Sequence, residues 1–217
     1  RGVNVVIIER GSVANAGSGN DQGVLYTRLS HMHSPLSDFS LQSYSFALGF
    51  YRQLLSSGQL VEGLDGALCG CFHQSDKLAE LAALAPLLQS VPGLAQVLNA
   101  SQANKILGVE QTKGGYWHPG SGWMRPASIC HALLKNDRIQ LIENAGTVAL
   151  EEEGSKWVAA HDGRELAKAQ CAVVATGTAS ASIAALDWLP LRSIRGQTTS
   201  LPCTVESKAL RAALCHK

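Results

Sequence analysis

Charge is scarce in this sequence. Lys plus Arg number 18 and Asp plus Glu 17, so only 16% of 217 residues are charged, against the ~25% usual in soluble domains. With a net charge of +1, the chain lacks the footprint of a stand-alone nucleic-acid binder, because phosphate contacts need clustered Lys and Arg. A local basic pocket remains compatible with that balance. Long apolar runs are also missing. The richest stretch, Leu78 to Leu98, is broken by Glu80, Pro86, Gln89, Ser90 and Pro92, so it reads as one or two amphipathic helices and not as a ~20-residue membrane span. The first apolar run ends in Glu9-Arg10, which no signal-peptide cleavage site does. No initiator Met precedes Arg1 and no polar tail follows Lys217, so the chain reads as an internal segment of something longer.

Several kinds of chemistry lack their residues. The six cysteines (Cys69, Cys71, Cys130, Cys171, Cys203, Cys215) have no zinc-ribbon spacing and read as reduced, apolar thiols of a cytoplasmic protein. His31-x-His33 is at most half a metal site, without a nearby carboxylate partner, so no metal is expected. Gly120 to Pro126 lacks the order of a nucleophile elbow, which leaves Ser121 no role as a nucleophile. Residues 17–23, GSGNDQG, are followed by no Gly-Lys-Ser/Thr and are not a phosphate-binding P-loop.

Glycine is what the chain has in excess, 21 of 217 residues, where ~7% is usual. Val3 to Glu9 is a β-branched run of the kind buried on both faces of a parallel sheet. The loop 11–23 follows. Apolar residues at three-to-four spacing (Phe39, Tyr44, Ala47, Leu48, Tyr51, Leu54, Leu55) predict a helix. Ala67 to His73 reads as a strand, Asp76 to about Leu88 as a helix, and 113–126 as an irregular aromatic loop. A short helix from Ala127 to Leu134 starts at Pro126, where a missing amide costs nothing. Ile139–Glu143, Thr147–Glu151 and Lys156–His161 are predicted strands with a turn at Gly154-Ser155. Ala169 to Thr176 reads as a second buried strand ending at Gly177, and 189–203 as another strand. Buried strands and helices alternating around a mixed middle predict an α/β sheet with an inserted second layer.

Two strand ends could carry chemistry. An acidic residue at a strand tip, here Glu9, accepts hydrogen bonds from a ribose in dinucleotide-binding folds, although an acidic turn residue is the plain alternative. AVVATG, ending at Ala175-Thr176-Gly177, brings small residues to the carboxyl edge of the sheet, where open α/β sheets bind ligands. Exposed amides and small side chains in the 17–23 loop would let a flat or anionic ligand approach, or simply make a surface loop.

Their order along the chain resembles the FAD-dependent D-amino-acid oxidase superfamily, and within it the oxidoreductase half of the bifunctional enzymes that build 5-methylaminomethyl-2-thiouridine in tRNA. The residues that carry the resemblance are AGSGNDQGVLYTRLS (16–30), HPGSGWMRPASIC (118–130), AVVATG (172–177), RGQTTSLP (195–202) and ALCHK (213–217). They span essentially the whole chain. Asp21 stands where that family usually has a basic residue, and Thr27-Arg28 replaces a Pro-containing step.

The resemblance implies an FAD-binding Rossmann-like sheet of the glutathione-reductase type, interleaved with an antiparallel substrate domain and truncated at both ends. The FAD-binding domain would comprise 1–59 and 120–190, and the substrate domain 60–119 and 191–217. Glu9 would bind the adenosine ribose. Ser18, Gly19, Asn20, Gln22 and Gly23 would line the pyrophosphate and flavin side. Val148 would contact the adenine through its backbone, and Thr176 with Gly177 would close over the dinucleotide. Arg195 and Gln197 would lie on the substrate side of the flavin. The implied reaction is oxidation of the carboxymethylaminomethyl group of the wobble uridine of tRNA, releasing glyoxylate, in the cytoplasm. A small-molecule amine oxidase acting on glycine, sarcosine or a D-amino acid is the alternative, and a non-catalytic fragment is a third reading.

Overall fold

The computed structural model describes residues 2–56 and 66–216. In chain order its elements are strand β1 (Val5–Ile8), strand β2 (Gly23–Leu25), helix α1 (Pro35–Ser56), strands β3 (Gly66–Ala67) and β4 (Cys71–Gln74), and helix α2 (Leu78–Leu88). Strand β5 (Gln96–Leu98), helix α3 (Ala100–Leu107), strands β6 (Gly115–His118) and β7 (Gly122–Met124), and helix α4 (Pro126–Leu134) come next. Strands β8 (Ile139–Ile142), β9 (Ala149–Glu153), β10 (Lys156–His161), β11 (Arg164–Ala169) and β12 (Ala213–Cys215) complete the set. They form two compact units, one holding the chain up to Asn20 and Cys130–Thr199, the other Asp21–Ile129 and the chain from Ser200 onward. These divisions fall near 20, 129 and 199, whereas the domains expected from the sequence divide at 59, 119 and 190. The first of those expected boundaries lies outside the described residues.

In the first unit β1 and β8 run parallel, Val5 level with Ile139 and Ile8 with Ile142, so both strands end at the same edge. Burial on both faces is not what this strand has. Val5 is 44% exposed, because β8 is its one neighbour among the described residues. Beside this pair stands an antiparallel meander in the order β11-β10-β9. Glu153 pairs with Lys156 across the Gly154-Ser155 turn, as the sequence predicts. His161 pairs with Arg164 across Asp162-Gly163, whose two residues both have positive φ, 48° and 77°, as a type I′ turn requires. An Asp-Gly pair is the strongest short hairpin signal, and it accounts for β11, a strand not foreseen.

In its place the sequence reading put a strand over Ala169–Thr176, and that is corrected here. Residues 171–176 form no strand, and Val173 is 92% exposed. The same holds for 189–203, which has no strand. Apolar residues alone do not make a strand; a ladder partner does, and among the described residues neither segment has one.

The second unit holds the core. Its four-stranded sheet runs β12-β4-β6-β5, with β12 parallel to β4 and the other pairs antiparallel. Alternation along β6 feeds two apolar clusters. Trp117 packs with Phe72, Leu98, Ala103 and Leu107 against α3, and Tyr116 packs with Leu81, Leu84 and Leu88 of α2. The expected helix at 39–55 is α1, burying Tyr44, Leu48 and Leu54, but Phe39 is exposed. The expected loop at 113–126 is corrected to β6 and β7. Its glycines are sites of close backbone approach: a Cβ on Gly115 would run into the His73 carbonyl, and one on Gly122 into the Ala67 carbonyl. A strand glycine of that kind marks a neighbouring backbone, not a break.

Candidate functional site

The first unit builds a site at the carboxyl edge of the β1–β8 pair. The Glu9 amide donates to the Ile142 carbonyl at 2.9 Å and its own carbonyl accepts from Ala145 at 3.1 Å. Gly146 N–H reaches the Arg10 carbonyl at 3.1 Å, and Asn144 N–H the Gly11 carbonyl at 2.6 Å. Farther along, Glu143 Oε1 accepts from the Val13 amide at 2.7 Å. Residues 143–146 are therefore fastened along 9–13, bringing Glu9 and the approach to Val148 to one edge. Glu9 Oε1 accepts the Gly11 amide at 3.0 Å.

The other residues expected to touch a dinucleotide are less concentrated. Ser18 and Gly19 lie in a three-residue 3-10 turn, Gly17–Gly19. A Cβ on Gly19 would sit 2.6 Å from the Ala14 carbonyl, so loop closure by itself requires that glycine. Asn20 Nδ2 donates to the Gly17 carbonyl at 3.3 Å. Gln22 and Gly23 belong to the second unit, where Gly23 opens β2 opposite Met124. Thr176 Oγ1 shares a 2.9 Å hydrogen bond with Ser180 Oγ, and Gly177 (φ 58°) opens the following 3-10 turn. Arg195 and Gln197 are exposed in a segment without regular structure that clusters with the first unit. Asp21, which stands where the family usually has a basic residue, accepts from Ser200 Oγ at 3.1 Å, joining the segments 16–30 and 195–202.

A second constellation, in the other unit, was not foreseen. The Tyr26 and His73 rings stack with centroids 5.1 Å apart. His118 meets the Tyr44 ring edge-on at 5.9 Å, and Tyr44 Oη and Ser121 Oγ share a hydrogen bond of 2.5 Å. Burial holds the Tyr44 hydroxyl above its usual range, although the Ser121 bond pulls the other way. Burial also pushes His118 down to about 4, against a hydrogen bond with the Leu94 backbone, and its Nδ1 has no partner. The imidazole is therefore neutral at pH 7.

Tyr26 and Tyr44 also wall an open cavity of about 470 Å³, lined with Thr27, Arg28, Phe39 and Ser43. Thr27 Oγ1 is buried without a hydrogen-bond partner. The cavity has apolar walls, hydroxyls and one guanidinium, and no activated nucleophile. Nothing local in the sequence announces this cluster, because its members come from α1, β4, β6, the β6–β7 turn and the residue after β2. His33, read as lacking a carboxylate, does find one: its Nε2 lies 2.9 Å from Asp38 Oδ2. Among the described residues no three metal-capable side chains converge, and no helix is long and apolar enough to cross a membrane.

The model of the FAD-dependent oxidoreductase family matches residues 1–215. The chain belongs to that family. The bifunctional tRNA 5-methylaminomethyl-2-thiouridine biosynthesis protein of Stutzerimonas stutzeri is 35% identical over all of this chain and 32% of its own length. Its counterpart in Pseudomonas paraeruginosa is 36% identical over 99% of this chain and 32% of its own length. The chain thus spans about a third of these curated relatives. Among solved structures, glycine oxidase from Geobacillus kaustophilus superposes with a TM-score of 0.63 at 21% identity, over 86% of this chain and 52% of its own. Iminodiacetate oxidase from Chelativorans sp. BNC1 gives 0.62 at 20%, over 85% and 52%. The fold is that of FAD-dependent oxidases: a mixed α/β assembly in which an antiparallel layer interrupts the nucleotide-binding part.

The residues of the Glu9 edge fit the adenosine end of FAD. A carboxylate at the tip of a parallel strand is an acceptor for ribose hydroxyls. No helix follows β1 directly; the turn at Gly17–Gly19 is the one helical element before β2. The helix N-terminus that usually holds a pyrophosphate is therefore not among the elements described.

Proposed function

We propose that this chain is part of an FAD-dependent oxidase that converts the carboxymethylaminomethyl group of a wobble 2-thiouridine in tRNA to aminomethyl, with release of glyoxylate. The observation that carries this reading is the 35–36% identity to the bifunctional tRNA-modifying proteins over 99–100% of the chain. Glu9 binds the ribose of the cofactor, and the Val148 backbone meets the adenine. Ser18, Gly19, Asn20, Gln22 and Gly23 face the pyrophosphate and flavin, with Thr176 and Gly177 closing over them. Residues 1–59 and 120–190 serve the cofactor, and 60–119 and 191–217 the substrate. FAD, when bound, would supply the hydride acceptor for the substrate methylene, and water would then cleave the C–N bond of the resulting imine to leave the aminomethyl group and glyoxylate.

The chain's own residues orient and shield rather than attack, a reading supported by a cavity walled by apolar groups, hydroxyls and the Arg28 guanidinium. Arg195 is the candidate partner of the substrate carboxylate, since a guanidinium matches it bidentately, and Gln197 stands beside it. The reaction is cytoplasmic and needs no metal. The test is glyoxylate release from tRNA carrying carboxymethylaminomethyl-2-thiouridine, compared with release from free glycine by the same FAD-loaded protein. Turnover of the tRNA is the expected result. Turnover of glycine with none of the tRNA would replace this reading by a small-molecule amine oxidase.

A further inference from the structure

The β9–β10 register pairs Ala149 with Ala160, so His161 stands one step farther, level with Val148. The Asp162-Gly163 turn fixes His161 as the last residue of β10. From there its Nδ1 lies 2.7 Å from the Thr147 carbonyl. A carbonyl can only accept, so Nδ1 carries the proton. Its Nε2 is 3.4 Å from Asp162 Oδ2, a contact that is attractive only when Nε2 also carries a proton. Gly146 has φ 68°, and a Cβ there would sit 2.7 Å from His161 Cε1. The ring therefore occupies the space any side chain at 146 would need. On the opposite side, Gly146 N–H is bound to the Arg10 carbonyl, and Ala145 N–H to that of Glu9. Residues 145–147 are thus held between the strand tip that carries Glu9 and the imidazole of a different hairpin.

We infer that His161 is a positioning residue for the adenosine end of a bound dinucleotide, fixing the 146–148 backbone beside the Glu9 carboxylate. The inference rests on the dinucleotide reading of that edge. His161 touches no ligand in this account; it sets where the Val148 backbone stands. A group that orients a binding segment this way changes affinity while the rest of the fold stays as it was.

The test measures FAD affinity by flavin fluorescence, with ADP as competitor, for the wild-type chain, His161→Ala and His161→Gln. His161→Ala is expected to weaken FAD and ADP together, by roughly five- to tenfold, the worth of one lost hydrogen bond, with little change in melting temperature. His161→Gln, whose amide can still donate to Thr147, is expected to recover most of the loss. Wild-type affinity in His161→Ala overturns the inference, as does an equal loss in His161→Gln. Should His161→Ala melt at the assay temperature, the three proteins are compared at a lower temperature where all are folded; unchanged affinity of His161→Ala there also overturns the inference. A wild-type chain that binds neither FAD nor ADP fails differently: it removes the dinucleotide reading, and the inference with it.

Discussion

His118 illustrates how a single buried residue can report on the fold. Its side chain is 1% exposed, and burial pushes its pKa down to about 4, while an unfolded histidine titrates near 6.5. The unfolded chain therefore binds the extra proton first as pH falls. The stability contribution is fully present above about 6.5 and is lost progressively toward 4. Between pH 7 and pH 5 this linkage amounts to roughly 2 kcal/mol. His118→Phe keeps a ring against the edge of Tyr44 and removes the titration, so its urea midpoint should change much less over that interval. Equal acid sensitivity in wild type and variant would show that other groups set the profile. The sequence marks His118 only as part of a resemblance segment. Its burial arises from β4, α1 and the β6–β7 turn meeting, which no local pattern encodes.

Elements were legible where their signals were local and misread where a partner decided. α1, α2 and α4 follow from spacing and from Pro126, and the Gly154-Ser155 turn sits where predicted. Residues 113–126 read as an irregular aromatic loop, yet Gly115 and Gly122 sit in strands where a neighbouring carbonyl occupies the place of a side chain. α3 was overlooked although its ends are well marked. Asn99 Oδ1 accepts from the Gln102 amide and Gln102 Oε1 from the Asn99 amide, both at 2.9 Å, which is a capping box. Gly108 at φ 76° closes the far end. Asn99→Ala should lower stability by about 1 kcal/mol and the melting temperature by a few degrees. Asn99→Ser, which can still cap, should lose less. Equal losses in the two variants, measured by thermal melts, would mean that packing of Ala103 and Leu107 sets the helix's stability and the cap does not.

At the scale of the whole molecule, the order of motifs was more informative than any one of them. A strand ending in Glu, a small-residue loop, an inserted domain, a mid-chain strand pair and a late A-T-G segment read as a strand together indicated an FAD-dependent oxidoreductase, while each alone had a plain alternative. The order carried the indication although the last segment forms no strand. What order could not indicate is which apolar segments find a partner. Residues 171–176 and 189–203 have strand-like composition but no ladder among the described residues. Val173 and Ile194 in the first unit, and Leu201 and Val205 in the second, are each at least 80% accessible. Single apolar residues are ordinary on a protein surface, but segments without regular structure that expose several large ones leave apolar surface in water. The 217-residue chain by itself should therefore enhance the fluorescence of an apolar dye such as anilinonaphthalene sulfonate under native conditions. It should also sediment faster as concentration rises. Replacing Val173 and Val205 together by Lys should reduce both effects without lowering the melting temperature, because neither side chain is packed. A chain that leaves the dye dark and stays monomeric would show that these segments are covered in solution by contacts within the 217 residues, and the reading of them as unpaired would fall.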